Sequence, residues 1–242
     1  MTNKDARILI SGGCGNLATE LKRHNKSFTL FTPSRNEMNV NRIEDIEKKI
    51  KSVAPNYFLH AAAVTRPMSI HEASPAESIK TNIIGTCNVS LMCIKHGIKL
   101  IYISTDYVYG GTKGNYKEVD GAMPFTAYGW SKLGGECAVN MCPDHLILRA
   151  AMTESPFPHP KALTDMKKSS IYAHDVAKII FKLMHHQGTM NIGGKNQSVF
   201  NFAKQSNSSV GKITLNEIKD VNMAVDCSMD TSIMRIALQN NE

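Results

Sequence analysis

The chain has 242 residues, 42% of them hydrophobic and 20% charged, with a formal net charge of +7. This is enough chain to bury a core without disulfides or a structural metal, and no apolar run approaches the length needed to cross a bilayer. The lysines are dispersed, with no zinc-finger spacing and no aromatic-rich RNA module. That dispersal argues against a nucleic-acid polymer, and the positive balance fits either a solvated basic surface or attraction of a phosphate-bearing cofactor and an anionic substrate.

The polar start Met1-Thr2-Asn3-Lys4-Asp5 lacks the apolar stretch of a secretory signal. Six cysteines are scattered with no CxxC pair, which predicts a reducing, cytoplasmic setting. The histidines lack ligand spacing, so no metal site is expected.

Arg7 to Ser11 reads as a short buried strand, followed by the turn Gly12-Gly13-Cys14-Gly15 and a helix over 16–25 with Leu17, Ala18 and Leu21 inward. A second strand is expected over 27–31. Ile43, Ile46, Ile50 and Val53 have helical spacing, and Tyr57-Phe58-Leu59-His60 enters a third strand. A long helix is predicted over 75–96, with Ile79, Ile83, Val89 and Ile94 as packing positions. A strong strand follows over 99–104, then a helix over 128–141 and a strand over 146–149. Residues 151–170 look like an insertion or lid. A helix over 175–186 and a strand and turn over 190–194 return to the pattern, and the tail beyond about 197 reads as a small accessory region. Strands alternating with helices predict an α/β fold, a Rossmann-like parallel sheet with helices on both faces. Residues 1–150 form its dinucleotide-binding core. Residues 151–242 complete that core at about 171–200 and supply a reduced substrate-binding region.

Gly12, Gly15 and Ala18 give GxxGxxA between a strand and a helix. Small residues there permit a tight turn and close approach of backbone to a pyrophosphate, and the helix start at Asn16 and Leu17 offers oriented N–H groups. The alternative role is helix-sheet packing alone. After the second strand, the position where an acid would bind an unphosphorylated ribose holds Arg35, preceded by Ser34. A guanidinium suits a 2'-phosphate, and Ser34 adds a hydroxyl. NADPH is therefore preferred, with NAD the alternative, since Glu37 also lies close.

Tyr128 and Lys132 are four apart and share one helix face. Upstream stands the hydroxyl-rich Ser104-Thr105-Asp106-Tyr107-Val108-Tyr109. Strand alternation points Ser104 and Thr105 opposite ways. With the glycine turn, these residues describe a nicotinamide-dependent site for an alcohol or a carbonyl.

These runs, together with His60-Ala61-Ala62-Ala63, Glu72 and Asn82-Ile83-Ile84-Gly85-Thr86, resemble extended short-chain dehydrogenases/reductases. The likeness covers roughly residues 7–200 and is greatest to the dTDP-4-dehydrorhamnose reductase branch, whose members usually have a longer substrate region. The resemblance implies catalytic roles for Thr105, Tyr128 and Lys132. Tyr128 gives a proton to the developing alkoxide, Thr105 hydrogen-bonds the same oxygen, and Lys132 binds the nicotinamide ribose and favours tyrosinate. Moving a tyrosine from about 10 towards neutrality takes about 4 kcal/mol, so a desolvated site and the cofactor's own charge are required. It also implies cofactor contacts at His60, Ala61 and Ala62. Asn82 either connects helix backbone to water near Lys132 or is an ordinary buried hydrogen-bonding residue. Asp106 either orients the site or caps a turn.

The implied function is NADPH-dependent reduction of a nucleotide-linked 4-keto-6-deoxysugar, with a homodimer as a possible assembly. Related epimerases and dehydratases are a second option, although dehydratases place Asp-Glu after the threonine and Asp106 is followed here by Tyr107. A third is a non-catalytic binding subunit, because the regulatory subunit of methionine adenosyltransferase resembles the same branch.

Overall fold

The computed structural model describes residues 6–218 and 223–240; the expectation for the first five residues lies outside them. In chain order the first half runs β1 Arg7–Ser11, α1 Asn16–His24, β2 Thr29–Phe31, α2 Ile43–Val53, β3 Tyr57–His60, α3 Ser69–Ala73, α4 Pro75–Ser78, a π-helical stretch Ile79–Ile84, α5 Gly85–His96, β4 Lys99–Thr105, α6 Ala127–Val139 and β5 His145–Ala150. The second half adds β6 Met152–Thr153, β7 Lys161–Leu163, β8 Lys167–Lys168, β9 Ile171–Tyr172, α7 Ala173–Leu183, β10 Gly188–Ile192, β11 Gln197–Ser198, α8 Val199–Lys204, β12 Gly211–Ile213 and α9 Ser232–Gln239. No helix among the described residues is long and apolar enough to cross a membrane.

Six strands form one sheet in the order β10-β5-β4-β3-β1-β2, and every pairing is parallel. Such a sheet must be covered on both faces. On one face α1, α7 and α9 supply Leu17, Leu21, Val176, Ile180 and Met234. On the other, α2, α5 and α6 supply Ile46, Ile50, Val89, Met92 and Val139. The core thus takes residues of α9 as well as the expected 171–200 segment. Residues 151–170, expected as an insertion or lid, contain short strands. There β7 pairs with β12, and β8 with β11, so the lid segment and the tail form one small annex beside the sheet.

The chain leaves β1 towards β2 on one side and returns to β3 on the other. Parallel strands diverge at this switch of direction, leaving a crevice at their carboxyl ends. Gly12 to Gly15 follow β1 there, and Ala61 to Val64 follow β3.

The helix over 75–96 departs from the expected packing. Ile79 and Ile94 are 47% and 46% exposed, while Ser78, Asn82, Thr86 and Val89 are buried. The π-helical stretch adds a residue to one turn and rotates the stripe that follows. Asn82 needs buried backbone partners that an isoleucine cannot use, so the polar face turns inward.

Candidate active site

Three short loops and one helix end converge on a cavity of about 1220 Å³. Its floor is the β1–α1 turn. Gly12 has φ +74°, which an L side chain rarely adopts, and a Cβ there meets Ala62 backbone nitrogen at 3.0 Å. Gly15 at the start of α1 has no side-chain cap, and the first turn holds no acid. The Gly15 N–H donates to the Gly12 carbonyl at 2.8 Å, while the Asn16 and Leu17 amides stand in the first turn, which has no acceptor of its own helix to offer them, and all four residues line the cavity. That is the donor arrangement a pyrophosphate fits.

Arg35 is exposed and lines the same cavity. Glu37 accepts from the Ser34 amide and hydroxyl at 2.7 and 2.8 Å. Those bonds hold its carboxyl below the usual range and commit the Ser34 proton, so Ser34 is left with acceptor capacity only. Ala61 and Ala62 line the cavity, whereas His60 is fully buried beneath it. His60 bonds Ser11 Oγ at 2.7 Å and Thr86 Oγ1 at 3.0 Å. Burial, then the Lys132 charge, brings it down to about 3. The resemblance points to a cofactor contact at His60; the structure makes it a neutral brace under β1 and β3.

Asn82 is likewise enclosed. It accepts from Val64 N–H at 2.8 Å and donates to Val64 carbonyl at 3.0 Å and Ser131 Oγ at 2.9 Å. This ties the loop after β3 to α6.

The start of α6 is fixed by two acceptors. Thr126 Oγ1 takes the Gly129 N–H at 3.0 Å, and Glu72 Oε1 takes the Ala127 N–H at 2.9 Å. Each satisfies a donor that the first turn leaves open. Gly129 lets the helix approach the end of β4, because a Cβ there falls 2.2 Å from Tyr107 carbonyl oxygen.

This approach brings Thr105, Tyr128 and Lys132 to one wall of the cavity. Thr105 favours the Tyr128 phenolate. Thr105 Oγ1 donates to Asp106 Oδ1 at 3.1 Å and accepts from Tyr107 N–H at 3.3 Å. Ser104 faces the opposite way and donates to Glu136 Oε1 at 2.5 Å, as alternation requires. Glu136 also binds Arg149 through Nη2 at 2.7 Å, a buried pair behind the site.

Burial dominates the electrostatics of the site. Tyr128 stands above the ordinary tyrosine value, chiefly through burial and then the Asp106 charge; Thr105 and Lys168 act the other way. Lys132 lies 4.1 Å over the Tyr102 ring. Burial lowers it from 10.5 to about 7, against the pull of Glu136. Lys132, drawn down by burial and stacked on Tyr102, does not offset the burial that raises Tyr128.

Two groups were not singled out by sequence as parts of the site. Lys168 Nζ reaches Asp106 Oδ2 at 2.9 Å and lies 4.2 Å over the Tyr107 ring. Arg66 pairs with Glu154 at 2.8 Å across the cavity lining. Both pairs join segments distant in sequence, for which local spacing carries no signal.

The family model described as RmlD substrate binding domain matches residues 6–154. The dTDP-4-dehydrorhamnose reductase of Aggregatibacter actinomycetemcomitans is 31% identical over 153 residues, 61% of this chain and 52% of that protein. Methionine adenosyltransferase 2 subunit beta of Rattus norvegicus is 32% identical over 142 residues, 55% of this chain and 42% of that protein. The matched part spans about half the length of these curated relatives. In three dimensions, dTDP-4-dehydrorhamnose reductase from Bacillus anthracis str. Ames, solved in complex with NADP, superposes with a TM-score of 0.87 at 22% identity. That superposition covers 96% of this chain and 92% of the other, and it establishes the shared fold. The family match takes in the glycine turn, the Thr105 strand end and the Tyr128-Lys132 helix, well over half of the sequence, and the chain belongs to the RmlD substrate-binding-domain family.

Proposed function

We propose that this protein is an NADPH-dependent reductase of a nucleotide-linked 4-keto-6-deoxysugar, of the dTDP-4-dehydrorhamnose reductase kind, serving rhamnose-type deoxysugar synthesis. The observation that carries the reading is the meeting of Thr105, Tyr128 and Lys132 on one wall of a cavity whose floor is an uncapped, glycine-lined helix start. The matching reductases support the chemistry, and the NADP bound in the Bacillus anthracis protein supports the cofactor.

Gly12, Gly15, Asn16 and Leu17 hold the pyrophosphate. Arg35 grips the 2'-phosphate; Ser34, expected to add a hydroxyl, gives its proton to Glu37 and offers the phosphate no donor. Ala61 and Ala62 admit the dinucleotide against the backbone, and Lys132 holds the nicotinamide ribose; His60 and Asn82 support these contacts from behind. Bound there, a reduced nicotinamide supplies the hydride that the carbonyl carbon takes up. Tyr128 gives its hydroxyl proton to the carbonyl oxygen, so the C=O bond becomes CH–OH, and the tyrosinate recovers a proton from solvent. Thr105, on the same wall, hydrogen-bonds the same carbonyl oxygen and holds the carbonyl in place. Lys132, charged beside the tyrosinate, stabilises it as it forms.

Residues 1–150 bind the cofactor in this scheme. Residues 151–242 complete the sheet and form the substrate wall. Exposed Leu91, Ile94 and Trp130 on the neighbouring helices α5 and α6 support a homodimer, which sedimentation velocity tests.

The likeness to methionine adenosyltransferase 2 subunit beta supports a second reading, a binding subunit without turnover. Consumption of NADPH with a panel of 4-keto sugar nucleotides separates the two. Stoichiometric formation of the reduced sugar supports the reductase. NADPH binding with no product from any of them refutes it.

A further inference from the structure

Arg66 and Glu154 are joined at 2.8 Å, and the segment behind each is fixed near the reacting groups. Asn82 bonds both the Val64 backbone and Ser131 of α6. Beyond Arg66, the His71 ring packs on the Tyr128 ring, with centroids 4.9 Å apart. The segment carrying Arg66 is therefore anchored to the catalytic helix before and after it. Glu154 comes from the other flank of β4. Ala150 of β5 pairs in register with Thr105, and Thr153, next to Glu154, pairs with Tyr172 of β9. Because β4 lies between β3 and β5 in the sheet, the ion pair bridges the two segments on either side of Thr105.

Both side chains line the cavity and are half exposed. An ion pair this open adds little to stability. Arg66 Nη1 donates to Glu154 Oε1, and neither side chain makes another hydrogen bond among the described residues. A guanidinium has five N–H donors and a carboxylate two acceptor oxygens, so both groups keep capacity for a ligand. A lone guanidinium suits a phosphate, but one already paired with a carboxylate draws an anion less strongly. A donor beside an acceptor fits a neutral hydroxyl, which both gives and takes a hydrogen bond. In a 4-keto-6-deoxysugar the carbon next to the carbonyl carries such a hydroxyl. In the scheme above that carbonyl lies at Thr105 and Tyr128, between the segments that the pair joins.

We propose that Arg66 and Glu154 form a sugar-recognition subsite: Arg66 donates to the hydroxyl beside the substrate carbonyl, Glu154 accepts from it, and the pair thereby selects which ketosugars are reduced. The inference rests on the reductase reading above. A sugar without that hydroxyl forfeits both bonds, and a site built to bond a hydroxyl discriminates against the analogue lacking it. Polar groups of this kind, few and placed at the reacting end of a largely apolar cavity, are what fixes a ligand's orientation.

The test compares wild type, Arg66→Met and Glu154→Ala on two substrates: a verified 4-keto-6-deoxysugar nucleotide and its analogue lacking the C3 hydroxyl. Thermal melts and NADPH titration accompany each protein, and NADPH affinity should stay within about twofold. Wild type should favour the hydroxylated sugar by roughly 10- to 100-fold in kcat/KM, the scale of hydrogen bonds to charged groups. Each variant should lose about that factor on the hydroxylated sugar and little on the analogue, so that the preference shrinks towards unity. Equal kcat/KM for the two sugars in wild type overturns the proposal while leaving the reductase reading intact. So does unchanged kcat/KM in both variants. An equal loss on both sugars also overturns it, because a merely structural bridge would act on either substrate, and so does a loss accounted for by weaker NADPH binding. A wild type that binds NADPH and reduces neither sugar overturns the reductase reading as well.

Discussion

Cofactor binding should take up a proton at Lys132. In the free chain this lysine is brought from 10.5 to about 7, first by burial and with Glu136 acting in the opposite direction. It is 3% exposed, lies over Tyr102 and is felt by His60. A ribose and pyrophosphate bring hydroxyl acceptors and negative charge, which favour the ammonium. The affinity for NADPH should then be flat below about pH 7 and fall above it, approaching tenfold per pH unit. Two pH units above that value the loss is about 100-fold, or about 2.7 kcal/mol.

The same burial has a stability sign. The unfolded chain binds a proton at Lys132 up to its ordinary 10.5, whereas the folded chain releases it at about 7. The destabilisation is therefore complete below about pH 7, where the folded state carries a buried charge, and it fades as pH rises towards 10.5. Its ceiling is on the order of 4–5 kcal/mol. Lys132→Met should raise the melting temperature of the free protein at pH 7 while flattening the pH dependence of NADPH affinity. Fluorescence titration between pH 6 and 9, wild type against Lys132→Met, measures the linkage, and the variant subtracts the ionisation of the 2'-phosphate itself. An affinity that does not change above pH 7 in the wild type would falsify the argument, as would the same slope in both proteins.

Three other outcomes are expected. Arg35→Ala should weaken NADPH about tenfold and leave NADH nearly unchanged; equal affinities for both in the starting protein would remove Arg35 from the 2'-phosphate. Gly129→Ala should lower stability and turnover together, since its Cβ falls 2.2 Å from Tyr107 carbonyl oxygen; a normal melt would mean that α6 shifts freely. Arg149→Leu should cost about 3–5 kcal/mol by stranding Glu136, which is 1% exposed, and chemical denaturation reads this directly.

The parts of the site legible in sequence were those encoded locally. Gly12, Gly15 and Ala18 lie within two turns of chain, and Tyr128 and Lys132 are one turn apart, so spacing alone placed them. Strand alternation separated Thr105 from Ser104 correctly. Illegible were the contacts made by folding. Lys168 is 62 residues from its partner Asp106 along the chain, and Glu72 caps a helix that begins at Ala127. Hydropathy misplaced Ile79 and Ile94 because the packing of residues 75–96 is dictated by the hydrogen bonds of Asn82 and a π-helical stretch, not by apolar periodicity. The charge states also lay beyond sequence. Burial of Lys132 and Tyr128 is a property of the assembled cavity, and it disfavours the charged form of both groups.

The most direct test of the central claim is a single turnover of deuterium-labelled NADPH with a 4-keto sugar nucleotide, followed by mass analysis of the sugar. Wild type should transfer one deuteride per site and yield the alcohol. Tyr128→Phe should bind NADPH with similar affinity and transfer at least about 100-fold more slowly, the scale of a lost general acid. Label appearing in the sugar at an equal rate in Tyr128→Phe would contradict the assignment of the proton donor, and no label in the wild type would contradict the reductase itself.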